Sequence, residues 1–112
     1  MVHAVSVAVE VVAIAVEAVE SGGRWWVQNG PCVGVMQINP RWSICTRAAL
    51  FDPNVNRAEG RRILAYWLKR SGGNWHKALA GYNCGNAGLH GECGQGYARK
   101  VWRLVKSQEG KK

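Results

Sequence analysis

Apolar residues dominate the first twenty positions of the chain, and two periods compete to describe them. Val5, Val7, Val9 and Val11 alternate with Ser6, Ala8 and Glu10, as the two faces of a half-buried strand would. His3, Ser6, Glu10, Glu17 and Glu20 instead fall along one narrow stripe at helical spacing, with Val, Ala and Ile elsewhere, the pattern of a core helix with one wet edge. Length separates the two readings, because a strand of that extent is unusual. The segment is predicted to be a helix that stops at Ser21-Gly22-Gly23.

From Gly23 to Thr46 the periodicity is lost. Asn29-Gly30-Pro31 signals a turn and Val33-Gly34-Val35 a short strand, so a loop containing a hairpin is expected. Helical spacing returns after Asp52-Pro53-Asn54, with Gly60, Ile63, Leu64, Trp67 and Leu68 inward, Arg61, Arg62, Lys69 and Arg70 outward, and Ser71-Gly72-Gly73 as the stop. Asn74 is placed to cap a further helix, in which Trp75, Ala78, Leu79 and Tyr82 recur at i, i+3, i+4 and i+7. Gly85 to Gly96 reads as a second glycine-rich loop. A last helix is expected from about Gly96 to Gln108, with Tyr97, Val101, Leu104 and Val105 inward, before a frayed basic tail over 109–112. The pattern predicts a mainly α protein in which a short hairpin and glycine-rich loops frame a groove.

A chain of 112 residues has room for one hydrophobic core, so residues 1–112 are expected to form a single domain. Fifteen Lys and Arg against seven Asp and Glu give a net charge of +8, which favours an anionic polymer as partner: nucleic acid, anionic lipid or bacterial cell wall. Positive charge also serves solubility alone. Among the six Trp, Trp25, Trp26 and Trp42 fall in loops and are candidate platforms for sugar rings or nucleobases, whereas Trp67 and Trp75 lie on helix stripes and belong with the core. Arg24, Arg41 and Arg47 share those loops. Glu10 and Glu17 interrupt the N-terminal apolar run and no basic segment precedes it, so neither an export signal nor stable membrane insertion is expected.

The four cysteines, Cys32, Cys45, Cys84 and Cys93, include no Cys-x-x-Cys pair, which makes disulfides the better reading than a zinc site. Of the possible pairings, Cys32 with Cys45 and Cys84 with Cys93 would each clip a glycine-containing loop. Each clip is worth about 2.5–3 kcal/mol by loop-closure entropy, and implies an oxidising destination: extracytoplasmic (periplasm, cell wall or secreted), or reached by release from a phage-infected cell.

Several chemistries are excluded by their missing signatures. No Ser-His-Asp spelling, phosphate-binding loop, His-Glu-x-x-His or dinucleotide fingerprint is present, no nucleic-acid reader motif appears, and neither a metal nor an organic cofactor is expected. What remains is carboxylate chemistry. Glu20 is the last polar residue of an otherwise apolar helix, just before Ser-Gly-Gly, where a carboxyl can project into a groove while its stem stays packed. Desolvation there disfavours the anion and raises the pKa, as a general acid near neutral pH requires. The same position also suits the end of a solvated stripe. Asp52 opens a helix and reads as a cap.

Four segments then fall in a familiar order: Ala18-Val19-Glu20-Ser21-Gly22-Gly23, Gly34-Val35-Met36-Gln37-Ile38-Asn39-Pro40, Ala78-Leu79-Ala80-Gly81-Tyr82-Asn83-Cys84-Gly85 and Tyr97-Ala98-Arg99-Lys100-Val101. Together they resemble the Glu-Ser, Gly-Leu-Met-Gln-Ile, Ala-Tyr-Asn-x-Gly and Tyr-Val-x-x-Val motifs of the lysozyme-like lytic transglycosylase (SLT) family, from about Val12 to Val105. The resemblance implies a small lysozyme-like catalytic domain that acts on peptidoglycan glycan strands and cleaves the β-1,4 bond between N-acetylmuramic acid and N-acetylglucosamine; a monomer is expected. Glu20 would protonate the glycosidic oxygen and then act as base on the muramoyl 6-hydroxyl, closing a 1,6-anhydro ring. That single-carboxyl scheme agrees with the lack of an obvious second acid, which a two-carboxylate glycosidase needs.

By the same carry-over Ser21, Met36, Gln37, Tyr82, Asn83 and Tyr97 would bind substrate, with the Gln37 amide on an N-acetyl or hydroxyl group, the Tyr82 phenol near Glu20 or the sugar, and Tyr97 on the far wall. Glu92 lies near a second acid of the family but out of register. Gln28 or Asn29 stands where the family often carries a Ser, which leaves a hydrolytic, goose-type lysozyme or endolysin as an alternative. A cationic wall- or membrane-binding protein acting without turnover is the alternative from another class.

Overall fold

The computed structural model describes residues 2–109, with side chains described from residue 9 to residue 108. The N-terminal apolar run is a helix, α1 (Val2–Glu20), and the helical period prevails over the alternating valines. Val9, Val12, Ala13 and Val16 are buried in succession at i, i+3, i+4 and i+7. The wet edge has a partner: Glu17 accepts from Arg57 Nε and Nη2 at 2.8 and 3.1 Å, and Glu10 pairs with Arg61 at 2.6 Å. The side chains of His3 and Ser6, expected on the same stripe, lie outside the described residues.

The expected hairpin is small. Strand β1 (Gln28–Asn29) pairs antiparallel with β2 (Cys32–Val33), Gln28 opposite Val33 and Asn29 opposite Cys32, and Val33 also bridges to Ile38. The stretch that follows is more ordered than its lost periodicity suggests, with a 3-10 turn over Pro40–Trp42 and helix α2 (Arg47–Leu50) capped by the Thr46 hydroxyl. Helix α3 (Pro53–Arg70) begins where predicted, Asp52 Oδ1 accepting from the Asn54 and Val55 amides, so Asp52 is a cap. Helix α4 (Trp75–Cys84) is capped by Asn74 through the Lys77 amide.

Two expectations fail near the C-terminus. The stretch from Gly85 to Gly96 contains a short helix, α5 (Asn86–His90), which packs on α4. In helix α6 (Gln95–Glu109), Leu104 is 36% exposed rather than inward, because Ala98, Val101 and Val105 already complete the face that enters the core. Glu109 closes α6; residues 110–112 of the expected tail lie outside the described residues. No helix among the described residues is long and apolar enough to cross a membrane.

The core is built from Val12 and Val16 of α1, Val33 to Ile38 of the hairpin segment, and Leu50, Leu64, Leu79 and Val101 from the helices around it. One polar residue is embedded in it. Asn56, fully buried, donates to Val33 O and Leu50 O at 2.8 Å each and accepts from the Met36 amide at 2.9 Å, binding α3 to the hairpin segment and to the end of α2. Gly34 is required there: its φ is +80°, and a side chain would enter the Asn56 amide and the Leu50 carbonyl.

Of the two expected disulfides, Cys84–Cys93 is formed, with the Cα atoms 6.1 Å apart. The Cys32–Cys45 bridge is not, and both thiols are free. Strand pairing opposite Asn29 holds Cys32 in the hairpin, while Ser43 and the Ile44 amide, both bonded to Glu59, draw the adjacent Cys45 toward α3.

Candidate active site

Helix α1 delivers Glu20 to the point where the chain turns off at Ser21. Its carboxyl is half-buried, and Oε2 accepts a 2.8 Å hydrogen bond from the Tyr97 hydroxyl at the start of α6. Burial pushes the Glu20 pKa up, and the Tyr97 bond, which favours the anion, offsets part of that rise. The charge is felt nearby. Tyr82 and Tyr97 are both held well above the ordinary phenol range, by burial first and by the Glu20 carboxylate next. The Cys32 thiol is raised by burial and by Glu20, with Arg47 opposing.

Beside this acid runs a cleft of about 760 Å³, with Cys32, Gln37, Tyr82 and Asn83 in its lining at the motif-bearing segments and Trp42, Tyr66, Trp67 and Arg70 farther round. Glu20 is not itself in that lining. Its charge is nevertheless felt by Cys32 and Tyr82, which are, and its carboxyl is only partly exposed. A separate hollow of about 430 Å³ lies against α1 and α3, walled by Ile14, Glu17, Met36 and Arg57.

The carried-over substrate residues divide into two groups. Asn83 is exposed in the cleft, and Tyr97 holds the acid rather than a far wall. Tyr82 lies in the cleft lining, but its hydroxyl donates to Met36 O at 2.7 Å and not to Glu20. Gln37 lies in the lining with φ +52°, yet its amide is engaged inside the protein: Nε2 donates to Val27 O and Gly34 O at 2.9 Å each, and Oε1 accepts from Asn29 Nδ2 at 3.1 Å. Its work is to shape the loop.

Ser21 and Met36 depart from the expectation of substrate contact. Ser21 is 1% exposed, its hydroxyl donating to Val35 O at 2.7 Å and accepting from the Gly23 amide, so it ties the end of α1 to the hairpin segment. Met36, equally buried, fills the core beside Gly60. The loop tryptophans separate as well: Trp42 enters the cleft lining with Arg41 stacked 5.1 Å from its ring, whereas Trp25 and Trp26 pack edge to face outside it.

Two supporting residues escaped sequence reasoning. Asn56 holds the segment that carries Met36 and Gln37, and Glu59 receives Ser43 Oγ, the Ile44 amide at 3.2 Å and Arg62 Nε at 2.5 Å, fixing the turn that presents Trp42. Glu59 has its pKa lowered to about 2, chiefly by Arg62. Both signals were available, since Asn56 and Glu59 are polar residues on or beside the inward stripe of a helix, and such residues need buried partners.

A mainly helical domain with a short hairpin, and a half-buried carboxyl near a cleft walled by aromatic and amide side chains, is compatible with a lysozyme-like domain. Residues 6–105 match the transglycosylase SLT domain family, and the chain belongs to that family. It is accordingly a glycosidic-bond-cleaving enzyme of the peptidoglycan lytic transglycosylase type. No curated protein and no solved structure matches it.

Proposed function

We propose that Glu20 is the single obligatory carboxyl of this enzyme, and that it cuts the β-1,4 bond between N-acetylmuramic acid and N-acetylglucosamine with formation of 1,6-anhydromuramoyl ends. The observation that carries this reading is the half-buried Glu20 carboxyl bonded to Tyr97 beside the cleft, with its pKa raised by desolvation. In the neutral form it donates a proton to the leaving glycosidic oxygen. The resulting carboxylate, stabilised by the Tyr97 hydroxyl, then takes the proton from the muramoyl 6-hydroxyl as that oxygen attacks the anomeric carbon. No water is consumed and the acid is regenerated.

In this reading the sugar lies in the cleft that Cys32, Tyr82 and Asn83 line, with Glu20 close enough for its charge to act on Cys32 and Tyr82. We further propose that the chain works as one catalytic domain and as a monomer, outside the cytoplasm where its substrate lies. Mass spectrometry of digested sacculi tests the reading: wild type yields anhydro ends, and Glu20→Gln loses about two to four orders of magnitude in rate. Reducing ends would assign a hydrolytic muramidase, and an unchanged rate in the variant would remove Glu20 from the chemistry altogether.

A further inference from the structure

The cleft lining contains two cations, Arg62 and Arg70, and among the described residues no acid. Arg62 is spent on Glu59. Arg70, at the C-terminal end of α3, has no carboxylate partner among the described residues. It is nevertheless held in place. Its guanidinium lies 5.7 Å from the Tyr66 ring centre and 5.4 Å from that of Trp67, donates from Nη1 to the Tyr66 hydroxyl at 2.9 Å, and donates from Nη2 to Asn86 Oδ1 at 3.2 Å.

The platform under it is stiff. Tyr66 and Trp67 meet edge to face at 5.2 Å, and the Trp67 ring presses so closely on α4 that a Cβ at Gly81 would come within 2.6 Å of it. Asn86 belongs to the segment that the Cys84–Cys93 disulfide clips.

A surface arginine that only solvates a helix end needs none of this. A guanidinium has five N–H donors in a rigid fork, and the two bonds in place go to neutral oxygens, which leave the positive charge uncompensated and further donors unused. Holding the fork in advance lowers the entropic cost of docking a planar anion on it. A glycan backbone of N-acetylated sugars is neutral, so its rings give no reason for such a group. The substituents of the muramic acid are anionic: peptide stems end in free carboxylates, and a muramic acid without a stem bears a free lactyl carboxylate.

We propose that Arg70, held against Tyr66 and Trp67 and steadied by Asn86, is a subsite for a carboxylate carried on the muramic acid substituent, favouring peptide-bearing strands over uncharged ones. This rests on the reading of the cleft as the glycan site.

Binding is measured by NMR titration with a disaccharide whose muramic acid is at the reducing end, which contains no bond of the cleaved type. Three forms are used: bearing a tetrapeptide with free carboxylates, bearing the same tetrapeptide amidated, and without a peptide. The wild-type Kd is expected to be about tenfold lower for the free than for the amidated form, the low end for a charge-assisted bond at an exposed site. Arg70→Gln abolishes that ratio, and Arg70→Lys, which keeps the charge without the fork, retains only part of it. Equal wild-type affinity for the two forms overturns the proposal, as does a ratio that survives Arg70→Gln. Arg70 dependence seen with the peptide-free form and not with the tetrapeptide form would place the contact on the lactyl carboxylate and overturn the preference for peptide-bearing strands. Turnover of sacculi is followed separately: its absence with the binding ratio intact overturns the reading of the catalytic acid and leaves the subsite standing.

Discussion

Asn56→Ala isolates the polar bracket at the centre of the fold. The substitution removes three hydrogen bonds of 2.8, 2.8 and 2.9 Å from a site with no exposure to solvent. The consequences for the three partners differ. Val33 O keeps the Ile38 amide at 3.0 Å, whereas the Met36 amide and the Leu50 carbonyl have no substitute in the surrounding contacts. Two orphaned buried groups at about 1–3 kcal/mol each, with a small cavity term, place the loss near 3 kcal/mol, and a water admitted to the vacated volume recovers part of it. Against a total of about 5–15 kcal/mol that is a large fraction.

Urea unfolding followed by tryptophan fluorescence reads the effect as a drop in midpoint at unchanged slope. The hairpin segment also carries Gln37 and receives the Tyr82 hydroxyl through Met36 O, so turnover by the folded fraction should fall as well. A stability loss below about 1 kcal/mol would refute the assignment of Asn56 as a bracket.

Three further outcomes are expected. Tyr97→Phe removes the donor that favours the Glu20 anion, so the Glu20 pKa rises further and the alkaline limb of the pH–rate profile for sacculus turnover moves to higher pH; an unmoved or lowered limb contradicts the Glu20–Tyr97 pairing. Glu59 has a folded pKa of about 2 against an ordinary 4.5, so its stabilisation is complete above pH 4.5 and is lost as pH falls through 2. Discounted for the half-exposed Arg62 it amounts to about 2 kcal/mol, and acid titration of Glu59→Gln should lack that component of the unfolding curve. Replacing both Cys84 and Cys93 by Ser opens a loop of sequence separation 9 and should cost about 2.5 kcal/mol in thermal or urea unfolding, with no matching loss for Cys32→Ser plus Cys45→Ser, whose thiols are free.

Local rules located the long elements because each carries redundant signals. Asp52-Pro53 fixes the start of α3 and Asn74 that of α4, and both caps are made as expected. Sequence spacing alone left α1 between strand and helix; its partners, Arg57 and Arg61, lie some forty to fifty positions onward, where no local pattern can register them. The Cys45 partner was misjudged for a related reason, since Glu59, on another helix, determines where that segment lies. Within the candidate site, the half-buried setting of the Glu20 carboxyl was legible from its position at the end of an apolar helix. The roles of Ser21, Met36 and Gln37 were not, because residue type and motif order do not reveal whether a polar group is already satisfied by the backbone beside it.

The contact of Trp67 with Gly81 has a bearing on how the enzyme's preferences can be altered. On that side the width of the cleft is dictated by main chain rather than by a replaceable side chain, and any residue larger than glycine at 81 would have to displace the indole. If the cleft is the glycan site, adaptation to bulkier or differently decorated strands is easier at Trp42, which lines the same cleft, is 68% exposed on a three-residue turn and can be exchanged without disturbing the interior.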